Sequence, residues 1–382
     1  MDQHKLFRSI YFAALNINKK KLKTLWQKYK NYSPGRAAAN LSLNNSELTD
    51  RKIELESLPV VVNFGTTSRC NTNPPCVMCM RNKASVNQDL SWRALLRAGY
   101  IADSASSLIL HGVGEPLLYP HLFDIAQLAG PDTMTLFTTN GLLIGRYLEE
   151  ICKYMTKISV SIDAATSHTY KKIRHNDLAK LKYNIQQLVA LKKTKKQSTP
   201  YIDISMCLMR SNISEAELFV EMGAELHVDT VHFYHMNMEP EYDWRVGWFD
   251  YQREHCHLAP DEHDRAIIKA LKQAKHLKMP VIFDGKPLFN RSYEFQFADN
   301  PSEPLIPKNA PICVMPWRNI QINSDGTLMN CCYQKGPFGS LEESTFAELW
   351  NGECQKAIRK GIVSGKLHIY CKDALCPAQG RV

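Results

Sequence analysis

The chain has 382 residues, 44% apolar and 22% charged, which suits one large globular domain or two to three ordinary ones and excludes a disordered or collagen-like chain. Its net charge of +9 is uneven: residues 1–36 carry nine Lys or Arg against one Asp, and the nearly neutral remainder argues against a nucleic-acid-binding surface over the body. No apolar run reaches the roughly eighteen residues of a membrane-spanning helix, and no secretion signal opens the chain, so the expectation is a cytoplasmic protein.

Residues 1–36 predict a basic helix. Phe7, Tyr11, Leu15, Leu22, Leu25 and Tyr29 recur near the helical period among lysines, and Ser33-Pro34-Gly35 stops the pattern. Such a charge run is ordinarily a solvated face. Its functional alternatives are peripheral contact with an anionic membrane, an acidic partner or a phosphorylated substrate. Residues 37–57, rich in Asn, Ser and Glu, read as linker, completing a first region, 1–57.

From residue 58 to 299, strands and helices alternate. Strand-like runs are Leu58–Phe64, Ser107–His111, Met134–Thr138, Ile158–Ile162, Ile202–Leu208 and Val228–Tyr234, with a weaker one at Pro280–Phe283. Helical patterns fill 87–103, 120–129, 143–154, 166–193, 213–224 and 260–277. Repeated βα units imply a parallel sheet with right-handed crossovers. Their number and length predict an α/β fold with a partial (βα)6 TIM-like barrel, whose chemistry belongs beyond the C-terminal strand ends. The prolines of Asn300–Pro311 mark a hinge to a small unit, 300–382. There Ser324-Asp325-Gly326 predicts a hairpin, and Phe346–Val363 a helix broken near Gly361. So small a unit needs a metal staple.

Twelve cysteines are many for a cytosolic enzyme, and metal or iron–sulfur binding explains them better than disulfides. Cys152, Cys207 and Cys256 stand alone and read as small buried hydrophobes. Cys70, Cys76 and Cys79 crowd into one loop just after the first strand, spaced C-x5-C-x2-C. A structural zinc site wants four protein ligands, whereas three thiolates on a four-iron cluster leave one iron open to another ligand.

This loop resembles that of the radical S-adenosylmethionine superfamily, although the usual spacing is C-x3-C-x2-C and Met78 stands where an aromatic is common. Companion motifs follow at successive strand ends. They are His111-Gly112-Val113-Gly114-Glu115-Pro116, similar to the family's GGEP stretch, then Thr138-Thr139-Asn140-Gly141, then Ser161-Ile162-Asp163 with Arg174, and then Ser205 with Met209-Arg210-Ser211-Asn212. The resemblance covers residues 58–240. It implies that Cys70, Cys76 and Cys79 hold a [4Fe–4S] cluster and that S-adenosylmethionine binds its open iron. It further implies that Gly112, Gly114, Glu115, Asn140, Ser161, Asp163, Arg174 and Ser205 line the site. Arg174 would pair with the methionine carboxylate, and Ser161 and Asp163 would lie near the ribose.

The last region resembles the SPASM or twitch extension of the same superfamily. Cys313 is followed by twelve residues, Gly326, four more and Cys331, and later by Cys371 and Cys376. The family's dense run C-x2-C-x5-C-x3-C is absent, so Cys313, Cys331, Cys371 and Cys376 count to one auxiliary [4Fe–4S] cluster. Zinc shares that ligand set. Cys332 is able to exchange with Cys331, and Cys354, within a helical pattern, reads as packing.

The resemblance implies reductive cleavage of S-adenosylmethionine by an electron donor such as flavodoxin or ferredoxin. Hydrogen abstraction from a substrate then follows, making the protein an oxidoreductase with the auxiliary cluster as electron acceptor. A small polar substrate, such as a sugar or aminocyclitol, is the first expectation. A peptide is the alternative, weakened because residues 1–57 look too short and too helical for a leader-binding module. A non-catalytic zinc scaffold is the alternative from another class. His111, Tyr234, His235, Asn237 and Glu239 are further polar residues expected near the barrel mouth.

Overall fold

The computed structural model describes residues 35–83, 87–236, 243–284, 310–371 and Cys376. The basic stretch up to residue 34, Asn237, Glu239 and most of the Asn300–Pro311 hinge lie outside them. Six parallel strands form the centre in chain order: β1 (Val61–Phe64), β2 (Ser107–Ile109), β3 (Met134–Thr139), β4 (Lys157–Ser161), β5 (Tyr201–Leu208) and β6 (Thr230–His235). A small hairpin, β7 (Arg245–Val246) and β8 (Phe249–Asp250), follows. The weak run after it becomes β9 (Val281–Asp284), which pairs in parallel with β6. The sheet is therefore an open partial barrel, as the strand pattern predicts.

The C-terminal unit belongs to the same sheet. Its first strand, β10 (Asn319–Ile322), lies parallel beside β1, pairing Val61 with Asn319 and Phe64 with Ile322. β11 (Thr327–Met329) returns antiparallel through a turn at Gly326, φ 80°, and β12 (Gly339–Ser340) ends the sheet. A continuous apolar core runs from Val62 and Phe64 to Trp317, Ile322, Phe346 and Ile358, so the unit shares its core with the barrel.

Three sequence readings are corrected here. Much of the supposed linker is a helix, α1 (Arg36–Thr49), with Asn44, Glu47 and Leu48 buried. Its polar side chains bond to backbone. Glu47 accepts from the N–H groups of Glu56 and Ser57, Asn40 exchanges hydrogen bonds with Leu58, and Asn44 donates to the carbonyl of Trp317. Composition alone cannot separate such residues from solvated ones, because buried polar groups are satisfied by partners distant in sequence.

The second correction concerns residues 166–193, which form two helices, not one. The first four helices of the barrel are α2 (Trp92–Ala98), α3 (Leu122–Ala126), α4 (Leu148–Tyr154) and α5 (Ser167–Arg174). α5 stops at His175, φ 57°, and α6 (Leu178–Thr194) restarts from Asp177, whose carboxylate caps the amide of Ala179. α7 (Ala216–Glu225) and α8 (Pro260–Leu277) complete the outer layer. The third correction is the break in the last helical pattern. After α9 (Met315–Arg318), the chain forms α10 (Phe346–Trp350) and α11 (Glu353–Ser364), parted at Asn351-Gly352 rather than at Gly361. Asn351 turns its side chain to Leu55 and Arg359, and a Cβ at Gly352 would strike the carbonyl of Glu348 at 2.9 Å.

Among the described residues, no helix is long and apolar enough to cross a membrane.

Candidate iron–sulfur and cofactor site

The loop after β1 is folded by its own polar groups. The N–H of Cys79 donates to the carbonyl of Cys76 at 2.9 Å, and the Asn82 amide donates to the carbonyls of Cys76, Val77 and Cys79. The loop after β2 braces it from below. Gly114 and Glu115 donate their N–H groups to the carbonyls of Thr67 and Arg69, at 3.1 and 2.7 Å. A Cβ on Gly114 would lie 2.2 Å from the Arg69 carbonyl, and one on Gly112 would lie 3.1 Å from the Gly65 Cα. These two glycines let the loops pack backbone to backbone.

Glu115 is buried and accepts from Thr139 Oγ1 at 2.7 Å and from the N–H groups of Asn140 and Leu117. It ties the second loop to the end of β3. There Asn140 reaches back to the first loop, donating to Asn71 Oδ1 at 2.7 Å and approaching Cys70 Sγ at 3.7 Å. Burial raises the Glu115 carboxyl to about 6 against the lowering hydrogen bonds of Thr139 and Asn140. A raised carboxyl means the folded state holds its proton longer than the unfolded one. This group therefore subtracts stability as pH rises from 4.5 to about 6. In the iron-free protein, Glu115→Gln is expected to lack this decline, and the variant should gain about 1 kcal/mol on the native protein over that interval. Urea unfolding at both pH values reads the difference, and parallel curves would discount the burial of Glu115.

Asp163, fully buried at φ 64° just past β4, receives the N–H of Cys207 at 2.7 Å and the Arg174 Nε–H at 2.6 Å. A second Arg174 nitrogen also pairs with Asp163 Oδ2. Arg174, on the last turn of α5, turns its remaining Nη1 to Cys76 Sγ at 3.7 Å. Its strongest partner in the structure is thus Asp163, a pairing that the sequence did not reveal across an intervening helix. Burial pushes the Cys76 thiol up to about 11 and raises Cys79 too, while the Arg174 guanidinium pulls both down. Ser161 and Ser205 are buried and face each other across the β4–β5 register. The first-site residues named from the sequence lie at or just beyond the C-terminal ends of β1 to β4, except Ser205 inside β5 and Arg174 on the last turn of α5.

Strand alternation separates the other mouth residues. Tyr234 lies beside Cys207 and close enough to Asp163 and Arg174 to feel their charges, and burial raises its phenol well above the usual value. His235 points the opposite way, stacking 5.0 Å from His263 on α8 and 5.2 Å from Phe283, and burial lowers it to about 4. It packs sheet against helix and does not share Tyr234's side of the sheet. His111 accepts the Thr138 N–H at 3.2 Å and is likewise lowered to about 4 by burial.

A second set of thiols meets in the C-terminal unit. Cys313, Cys331, Cys371 and Cys376 line one small cavity with Tyr370 and the buried amides of Asn330 and Gln334. Burial raises Cys331 to about 12 and Cys371 to about 11. Cys332 is exposed and outside the cavity wall, and Cys354 packs against the core. Among the described residues, no three His, Cys, Asp or Glu side chains are placed to hold a metal ion. The fit to a larger group rests on the donor sets: three thiols with an amide and a guanidinium in one place, four thiols around one cavity in the other.

Comparison with known proteins accords with this architecture. Residues 313–377 match the SPASM family, an iron–sulfur cluster-binding domain. No curated protein matches the chain. Among solved structures, SuiB of Streptococcus suis bound to the precursor peptide SuiA is similar at 14% identity and TM-score 0.58, over 86% of this chain and 72% of SuiB. The same protein bound to S-adenosylmethionine matches at 15% identity and TM-score 0.58, over 82% of this chain and 70% of that one. Native anSMEcpe with bound AdoMet and the Cp18Cys peptide matches at 16% identity and TM-score 0.53, over 82% and 86%. At such identities these likenesses speak to fold. A partial barrel with three loop cysteines after its first strand, continued into a cysteine-lined extension, defines a radical S-adenosylmethionine fold with an auxiliary iron–sulfur unit. Residues 313–377 carry the SPASM iron–sulfur cluster-binding domain, and most of the chain shares the fold of SuiB and anSMEcpe.

Proposed function

We propose that this chain uses a [4Fe–4S] cluster on Cys70, Cys76 and Cys79 to cleave S-adenosylmethionine reductively and remove hydrogen from a small polar substrate. The observation that carries the reading is the gathering of three thiols at the C-terminal end of β1 under the Arg174 guanidinium and the Asn140 amide. When bound, the reduced cluster supplies the electron that splits S-adenosylmethionine into methionine and a 5′-deoxyadenosyl radical. The chain's own residues hold and orient. Cys70, Cys76 and Cys79 offer three thiolates and so leave one iron open. Glu115 locks the loop beneath them, and Ser161, Ser205 and Asp163 give polar contacts on an otherwise apolar wall. Arg174 neutralises Cys76 and, in this reading, shares its guanidinium between Asp163 and the methionine carboxylate. A second [4Fe–4S] cluster on Cys313, Cys331, Cys371 and Cys376 is fully ligated by protein. That suits an electron acceptor and favours net oxidation, with flavodoxin or ferredoxin supplying the first electron.

A peptide substrate is the second reading. It is favoured by what the similar folds bind, the SuiA precursor in SuiB and the Cp18Cys peptide in anSMEcpe. Production of 5′-deoxyadenosine stimulated by the low-mass fraction of a cell extract supports the small molecule. Stimulation by the peptide fraction alone supports the second reading. A colourless protein holding zinc instead of iron would overturn both.

Arg174→Lys keeps a positive charge beside Asp163 but loses the planar fork. Both clusters are expected to stay, while S-adenosylmethionine binding in equilibrium dialysis weakens about ten-fold, the cost of a lost charge-assisted hydrogen bond. Undiminished affinity would remove Arg174 from the cofactor site.

A further inference from the structure

Resting on the first-cluster reading above, we propose that Trp244 is a positioning residue for that cluster, clamping the peptide between Cys76 and Cys79 from across the barrel mouth. Val77 lies between these two thiols, and both of its backbone groups are held by distant residues. Its N–H donates to the carbonyl of Ile173 at 3.1 Å. Its carbonyl accepts the indole N–H of Trp244 at 2.9 Å, 167 residues away in sequence, beside the longer bond from the Asn82 amide at 3.1 Å. The first bond fastens the thiol pair to the turn that carries Arg174. The second fastens it to the short hairpin after β6.

That hairpin is built to hold the indole still. Trp244 is buried and packs 4.4 Å from the Tyr251 ring, and the Tyr251 N–H returns to the Trp244 carbonyl. Trp244, Phe249 and Tyr251 join Val77, Ile173 and Met209 in an apolar cluster of their own, separate from the main core. Lys172 on α5 caps the Trp248 ring at 3.8 Å, and Lys83 pairs with Asp243 at 3.1 Å, so the hairpin touches both neighbours of the thiol pair. A cluster keeps its iron only while its thiolates stay in place. A C-x2-C turn in which both backbone groups of Val77 are bonded has little freedom to swing a thiolate away. Next to this apolar cluster Cys76 is buried, while Cys70 and Cys79 stay partly exposed.

The test uses the full-length protein loaded anaerobically with iron and sulfide. The first cluster is identified as the one whose reduced electron paramagnetic resonance signal changes when S-adenosylmethionine is added. Trp244→Phe keeps an aromatic ring against Tyr251 while removing the N–H and part of the indole's packing surface. Iron release from the first cluster to a ferrous chelator is expected to quicken about five-fold, the worth of one buried hydrogen bond. Release from the C-terminal cluster should not change. Trp244→Ala should quicken it further. Equal first-cluster release in native protein and both variants would overturn the proposal. So would equal acceleration at both clusters with a lower melting temperature, since that describes a merely structural tryptophan. A native protein that loads iron only at the C-terminal site would overturn the first-cluster reading itself, and this inference with it.

Discussion

Replacing Cys70, Cys76 and Cys79 together with alanine is expected to lower the iron content of the reconstituted protein from about eight to about four atoms per chain. It should also abolish 5′-deoxyadenosine formation. The three thiols are the cysteines of one loop, fixed by Asn82 within it, by Asn140 just past β3 and by Arg174 on the last turn of α5. The barrel wall offers no ready substitute: Cys207 and Cys256 are buried, and burial raises both thiols. The four thiols of the C-terminal cavity are untouched, so half the iron and a brown colour should persist. Iron analysis and visible absorption of the variant check this directly. Retention of all the iron would place the first cluster elsewhere.

The double variant Cys371→Ala, Cys376→Ala is expected to lose the other half of the iron. S-adenosylmethionine cleavage should continue while conversion of substrate falls to background, because the proposed electron acceptor is gone. The fold narrows what else should change. The C-terminal unit is fastened to the barrel by the β1–β10 pairing and by Trp317 and Trp350, whose indoles donate to the carbonyls of Lys52 and Ser57. Arg359, buried, adds bonds to Pro316 and Ile53. Loosening on cluster loss should therefore be confined to the segment after α11, about residues 366–371, and should spare β10 and α11. Hydrogen exchange followed by mass spectrometry separates these segments. Full turnover with only the first cluster present would show that the second has no part in the chemistry. A full iron complement would bring in Cys332 or Cys354 as ligands.

The barrel and its thiol loop were legible for a physical reason. Buried parallel strands must be apolar and β-rich, so Leu58–Phe64 and Ile202–Leu208 stand out against polar surroundings. Three closely spaced thiols after the first of them have few structural uses. What escaped the sequence depends on partners far along the chain. The polarity of α1 looked like solvation, yet Asn44 bonds to Trp317, 273 residues away. Arg174 looked free for a ligand, yet Asp163 already holds it. Trp244 sits in no periodic pattern, and only the fold reveals that its indole reaches Val77. The small last unit looked in need of a metal to stand alone because nothing local announces that β10 docks on β1.

That docking bears on the order in which the protein is made. A ribosome delivers β1 early and β10 late, so one flank of β1 waits with unpaired amides and carbonyls until the chain has passed residue 322. The wait matters to the thiol loop, because the Gly65 N–H, at its root, bonds to the carbonyl of Ile322 at 2.6 Å. During synthesis the barrel has its first three thiols but not the neighbour that anchors their loop. A nascent chain stalled before residue 319 would thus present an exposed strand edge to aggregation, and iron delivered then would meet an unfinished cradle. On the proposed reading, insertion of that cluster would follow the pairing of β10 with β1 rather than accompany the making of β1.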